Sequence, residues 1–144
     1  MAMLLAGPLG AEPARLVKLC LIHDLAEAIT GDLPAPRARE AGMKEAAERA
    51  AMAELTAPLP PSLRDEVLGL WEEYETGSSH EGRLARGLDT LETILQHTQG
   101  LNPPGFDIAY NLEYGRTATA AHPVLAAIRE RLDEVTRERT REDD

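Results

Sequence analysis

Four side chains able to do chemistry stand close together in the chain: His23, Asp24, Glu27 and Asp32, inside the stretch LVKLCLIHDLAEAITGDLPAP that runs from Leu16 to Pro36. An imidazole beside carboxylates is a donor set that suits divalent metal ions, and a carboxylate near a metal-bound water can orient that water or take its proton. Residues four apart on a helix lie one above the other, so a continuous helix would set Glu27 over the His23 ring and next to Asp24. Acids clustered in this way on a half-buried helix need a cation. The same residues admit a plainer reading. A His among apolar residues is commonly a satisfied core or surface residue, Glu27 an exposed salt-bridge partner, and Asp32 a turn residue bonded to its own backbone. Spacing alone leaves both readings open.

The sequence HD, a Glu three residues on, then GDLP resembles the HD-domain phosphohydrolases, and within them the 5′-deoxynucleotidase-like branch. The likeness continues in LWEEYE (Leu70–Glu75), GLDTLETILQ (Gly87–Gln96) and FDIAYNLEYGR (Phe106–Arg116), in the family's order, from about Leu16 to Glu134. The resemblance implies an all-α HD-domain bundle with a divalent metal ion held by His23, Asp24 and, from a later helix, Asp89. Manganese, cobalt, iron, zinc and magnesium all remain open. It further implies that Glu27 positions water or acts as base, and that Asp32 serves the leaving-group side or the sugar hydroxyl. The implied reaction releases phosphate from nucleoside 5′-monophosphates, deoxyribonucleotides first. The alternative is a weakened or inactive HD-fold protein that binds metal or nucleotide, or serves in assembly.

Three departures bear on that choice. No His precedes His23, although the family's first metal ligand is an upstream His. Thr90 follows Asp89 where a Lys is usual, and the upstream segment bearing Arg and His, which helps hold the phosphate, has no counterpart. The sequence therefore reads as an N-terminally shortened HD domain. Loss of a first helix would expose apolar surface and favour a homodimer or larger assembly.

The elements that must position these residues follow from composition and spacing. A chain of 144 residues fits a single domain over 1–144. Apolar residues make up 43% but aromatics only 3%, so the core must come from Leu, Ile, Val and Ala, which favours about six packed helices over sheets. A formal charge of −10 argues against a nucleic-acid duplex as partner, while a small phosphate ester stays compatible where a metal supplies positive charge. The lone Cys20 fits a reducing compartment and a structural role. With no long apolar run and a short, uncharged start, the expectation is a cytoplasmic protein without a membrane partner.

Taken in order, Met1 to Ala6 reads as the last turn of a helix. Pro13 then opens a helix predicted to reach Thr30, burying Leu16, Leu19, Cys20, Leu25 and Ile29 before Gly31 closes it. Residues 32–36 form an extended linker, and 38–56 a helix with a shallow apolar stripe. The next helix, capped by Ser62, turns Leu63, Val67, Leu70, Trp71 and Tyr74 inward and leaves Glu72, Glu73 and Glu75 solvated. From His80, a helix carries Leu84, Leu88, Leu91, Ile94 and Leu95 to the core with Asp89 on the same flank, where a charged carboxylate requires a cationic partner. A short helix over 106–113 follows. Pro123 opens the last helix through Val124, Leu125, Ile128, Leu132 and Val135, and residues 137–144 form a polar, fraying tail. His80, His97 and His122 are read as structural, and Arg116 as a phosphate contact or a tie to the last helix.

Overall fold

The computed structural model describes residues 1–31 and 41–142, and among them every regular element is helical. In chain order these are α1 (Ala2–Leu5), α2 (Pro13–Ile22), α3 (Glu27–Thr30), α4 (Ala41–Thr56), α5 (Pro61–Thr76), α6 (His80–Gln99), a 3₁₀ helix (Ile108–Leu112), α7 (Arg116–Thr119) and α8 (Pro123–Glu142). The all-α expectation holds.

Central to the packing is α6, which lies against α2, α5, α7 and α8. Its apolar residues recur every three or four positions, so Leu84, Leu88, Leu91 and Ile94 are all buried. They meet Leu16 and Leu19 of α2, Leu70 of α5, and Leu125 and Leu132 of α8 in one core. Close approach needs small residues at the crossing. A Cβ at Gly87 would fall 2.6 Å from Leu125 Cδ1 and 2.9 Å from the Ala118 carbonyl oxygen. A smaller cluster joins Ala26, Ala51, Met52 and Trp71, and seats the turn after α2 against α4 and α5.

Local chemistry sets the ends. Pro13 takes the first position of α2, and the Glu12 side chain accepts from Ala14 N at 2.9 Å and Arg15 N at 2.6 Å. The hydroxyl of Ser79 caps α6 by accepting from Gly82 N at 2.8 Å. Ser62 does no such work, because α5 opens on Pro61 with Pro60 before it.

Three other sequence expectations change. Glu73 is buried rather than solvated, since the Arg15 guanidinium pairs with its carboxylate and Ser79 donates to it. Leu25 and Ile29 are exposed, at 42% and 47%, because the helix meant to bury them stops short. The residues after Arg137 stay helical to Glu142 instead of fraying. Arg139 Nη1 donates to the Thr98 carbonyl at 2.6 Å and to that of His97 at 3.3 Å, satisfying acceptors left open at the end of α6.

One buried ion pair organises the far side. Arg129 pairs with Asp133 at 2.6 Å and donates to the carbonyls of Asn111 (2.6 Å), Leu112 (3.0 Å) and Tyr114 (2.6 Å). This fixes the 3₁₀ helix and the chain after it on α8. Arg116 lies 3.3 Å from Glu113 and 4.0 Å from Asp133, which makes it a tie toward α8.

Candidate functional site

The helix expected to run from Pro13 to Thr30 ends at Ile22, and residues 23–26 form a turn before α3. Hydrogen bonds there shorten to a three-residue span: Leu25 N to Ile22 O at 3.1 Å, Glu27 N to Asp24 O at 3.0 Å, and Ala28 N to Leu25 O at 3.2 Å. Tightening to about three residues per turn eclipses residues i and i+3. Glu27 is thereby brought into register with Asp24 rather than over the ring of His23. Ala26, 1% exposed, is the residue this winding drives into the Met52–Trp71 cluster.

The turn aims the His23 ring. Its Nδ1–H donates to the Cys20 carbonyl at 2.8 Å, leaving Nε2 to face 3.0 Å from Asp24 Oδ2 and 3.5 Å from Asp89 Oδ1 of α6. The cationic partner required by Asp89 is therefore His23. Burial disfavours the imidazolium, but the hydrogen bonds and charges of Asp24 and Asp89 overcome it and push the His23 pKa up to about 10. Asp24 is held below the usual carboxylate range, first by its hydrogen bond to His23; burial opposes this, and the charges of His23 and Lys44 assist.

Tyr74 of α5 completes this corner. Its hydroxyl donates to Asp89 Oδ2 at 2.9 Å, and its ring lies 4.8 Å from the His23 ring, centroid to centroid. Burial, then the charge of Asp89, raises its pKa, so the hydroxyl stays a donor. Beside Asp89 a cleft of about 240 Å³ opens, with Glu75, Arg86, Thr90 and Tyr114 in its walls. Thr90 is buried against Gly115, at φ +62°, where a Cβ would fall 2.2 Å from Thr90 Cγ2.

Glu27 faces α4, its Oε1 4.0 Å from Lys44 Nζ. Lys44 was invisible to the sequence reading, which took its helix only for an apolar stripe; the signal was that the chain has just two lysines, Lys18 and Lys44. Tyr74 was read only as a core residue. Asp32 lies outside the described residues. The other histidines stay away from the site: His80 Nε2 meets the Leu9 carbonyl at 3.2 Å, His97 Nδ1 meets Asn111 Oδ1 at 2.8 Å, and His122 Nδ1 accepts from Val124 N at 3.2 Å. Lys18 pairs with Glu66, away from Cys20, whose thiol burial pushes its pKa up.

By donor chemistry, one imidazole nitrogen and two carboxylates fit a divalent ion. The orientation fits too, because a metal-binding His commonly donates its other ring N–H to a backbone carbonyl, as His23 does to Cys20. As the side chains stand, however, the three groups close on one another. Among the described residues no group of three or more His, Cys, Asp or Glu is open around a point that could hold an ion. The ring proton supplies the positive charge that the two carboxylates require.

Comparison with known proteins agrees with this arrangement. The family model described as HD domain matches residues 1–129. The chain is 49% identical over 83 residues to the 5′-deoxynucleotidase HDDC2 of Danio rerio, covering 57% of this chain and 41% of that protein. It is 44% identical over 85 residues to the Homo sapiens 5′-deoxynucleotidase HDDC2, covering 59% and 42%. With the 5′-deoxynucleotidase hdd1 of Schizosaccharomyces pombe it shares 34% identity over 86 residues, covering 57% and 43%. The chain spans less than half the length of these relatives.

Proposed function

The chain belongs to the HD domain family, and from that premise we propose that it is a metal-dependent phosphohydrolase releasing phosphate from nucleoside 5′-monophosphates, deoxyribonucleotides first among them. The observation that supports the reading best is the convergence of His23 Nε2, Asp24 Oδ2 and Asp89 Oδ1 from two elements far apart in the chain. The similarity to named 5′-deoxynucleotidases supports the substrate class.

In this reading His23, Asp24 and Asp89 hold the ion, which is manganese, cobalt, iron, zinc or magnesium. When bound, such a cation supplies charge to the phosphate oxygens and lowers the pKa of a coordinated water from about 15.7 toward neutrality. The protein's own residues do the rest. His23 gives up its Nε2 proton and keeps its Nδ1–H on Cys20 O, so the ring does not turn. Tyr74 holds Asp89 Oδ2, leaving Oδ1 directed at His23. Glu27 orients the attacking water and takes its proton, and Asp32 serves the leaving 5′-oxygen.

A second reading, a weakened HD-fold protein that binds metal or nucleotide or serves in assembly, is supported by the closed state of the three groups and by Thr90 in place of the usual Lys. Bound metal separates the two. After dialysis against manganese, cobalt or zinc, elemental analysis should find near-stoichiometric ion in the wild type and little in Asp89→Asn, with phosphate released from deoxynucleoside monophosphates by the wild type alone. Metal without turnover favours the second reading. Absence of metal from both proteins removes the first.

The proposal extends to a homodimer or larger assembly, supported by Met3, Leu4 and Leu21, which are 82%, 85% and 72% exposed. Sedimentation of the purified chain at a monomer mass would remove it. No helix among the described residues is long and apolar enough to cross a membrane, and the lone Cys20 thiol suits the reducing cytoplasm.

A further inference from the structure

Lys44 stands between two carboxylates on different elements. Its Nζ lies 3.2 Å from Glu48 Oε1, one turn along α4, and 4.0 Å from Glu27 Oε1 on α3. The order Lys then Glu at i, i+4 is the less favourable one for a helix, so helix stability gives little reason for the pair. Position gives a better one. Glu48 is buried, in the turn of α4 just before Ala51 and Met52 pack with Ala26 and Trp71, so it forms a fixed anchor behind the ammonium.

From that anchor the ammonium is turned toward the candidate site. Its charge favours the ionised forms of Asp24, Glu75 and Tyr114, which belong to the turn after α2, to α5 and to the segment before α7. Apart from Lys18, every other basic residue among the 15 Lys and Arg is arginine. At this place the chain uses a compact point charge instead of a forked guanidinium, which would take a carboxylate in two-point contact.

We infer that Lys44 is a positioning residue: from α4, backed by Glu48, it fixes the Glu27 carboxylate at the edge of the site and acts through that side chain. The inference rests on the hydrolase reading for its catalytic consequence, and on the α3–α4 geometry for the tie itself.

The test uses the 144-residue chain with Lys44→Met, which keeps bulk and removes charge, Lys44→Arg, Glu27→Gln, and the double variant Lys44→Met/Glu27→Gln. With manganese and a deoxynucleoside 5′-monophosphate, Lys44→Met should lower kcat by about tenfold or more with KM within about twofold, since small misplacements of catalytic groups cost that much. Lys44→Arg should recover most of the loss. The double variant should turn over no more slowly than Glu27→Gln, because the two residues act as one unit. A wild-type kcat in Lys44→Met, or a double variant slower by the full factor of both changes, overturns the inference.

Urea denaturation of the metal-free proteins reads the tie without turnover. The stability effects of Lys44→Met and Glu27→Gln should be non-additive in the double variant, and strict additivity overturns the inference. A wild type that takes up no manganese and releases no phosphate defeats the hydrolase reading, and the denaturation cycle still decides the tie.

Discussion

Tyr74 and Asp89, on neighbouring helices, are joined by a 2.9 Å hydrogen bond from the phenol to Oδ2, while the same tyrosine ring lies beside His23. One side chain therefore sets the orientation of both a carboxylate and an imidazole of the candidate metal site. Tyr74→Phe keeps the ring and removes the donor. A hydrogen bond to a charged group contributes about 1.5–3 kcal/mol, and a supporting contact to a metal ligand about 10–100-fold in affinity. Tyr74→Phe should lower urea-derived stability toward the lower end of that range, because Asp89 is part-exposed. Metal titration should show weaker binding with little change in stoichiometry.

Gly115 and Thr90 form a steric pair. Ala at position 115 meets two obstacles, the left-handed backbone at φ +62° and the Thr90 methyl group at 2.2 Å. Gly115→Ala should cost about 2–4 kcal/mol from strain and overpacking together. Adding Thr90→Ala should return the packing part and leave the backbone part, which equilibrium unfolding of the three variants would resolve.

Removing the Arg129 guanidinium leaves Asp133 and three carbonyl oxygens without their donor. Arg129→Met should destabilise by about 3–5 kcal/mol, as breaking a buried pair does. Arg129→Met/Asp133→Leu should recover a large part, because the remaining charge is gone. Thermal melts of the single and double variants measure the difference.

Glu75 gives a pH dependence of known sign. Its pKa is raised, first by burial and then by Glu48, with Arg86 and Lys44 opposing and Glu45 adding to the rise. The folded chain therefore binds this proton more tightly than the unfolded chain, and stability falls as pH climbs from the ordinary Glu pKa of about 4.3 through the raised value. Glu75→Gln lacks the titration. Its melting temperature should exceed that of the wild type near neutral pH, and the gap should close near pH 4.

The long helices were legible because a core-facing stripe is a local pattern. Leu84, Leu88, Leu91 and Ile94 announce α6, and an Asp among them announces the need for a cation, which His23 meets. The break after Ile22 was not legible, since no Gly or Pro stands between Pro13 and Thr30. Contacts remote in sequence accompany it: Ala26 is seated against Met52 and Trp71, and His23 against Asp89. The burial of Glu73 escaped for the same reason, because Arg15 lies 58 positions away. Lys44 escaped because a hydrophobic pattern carries no information about which charged residue of a helix looks inward.

Trp71 is the chain's single tryptophan, 2% exposed, and it packs with Ala26 in the turn that holds His23 and Asp24, under the guanidinium of Arg49 at 5.2 Å. The indole is thus a built-in optical gauge of that turn. Any event that loosens the turn changes the polarity around one fluorophore with no second tryptophan to dilute the signal, so the state of the site can be followed by intrinsic emission without a label.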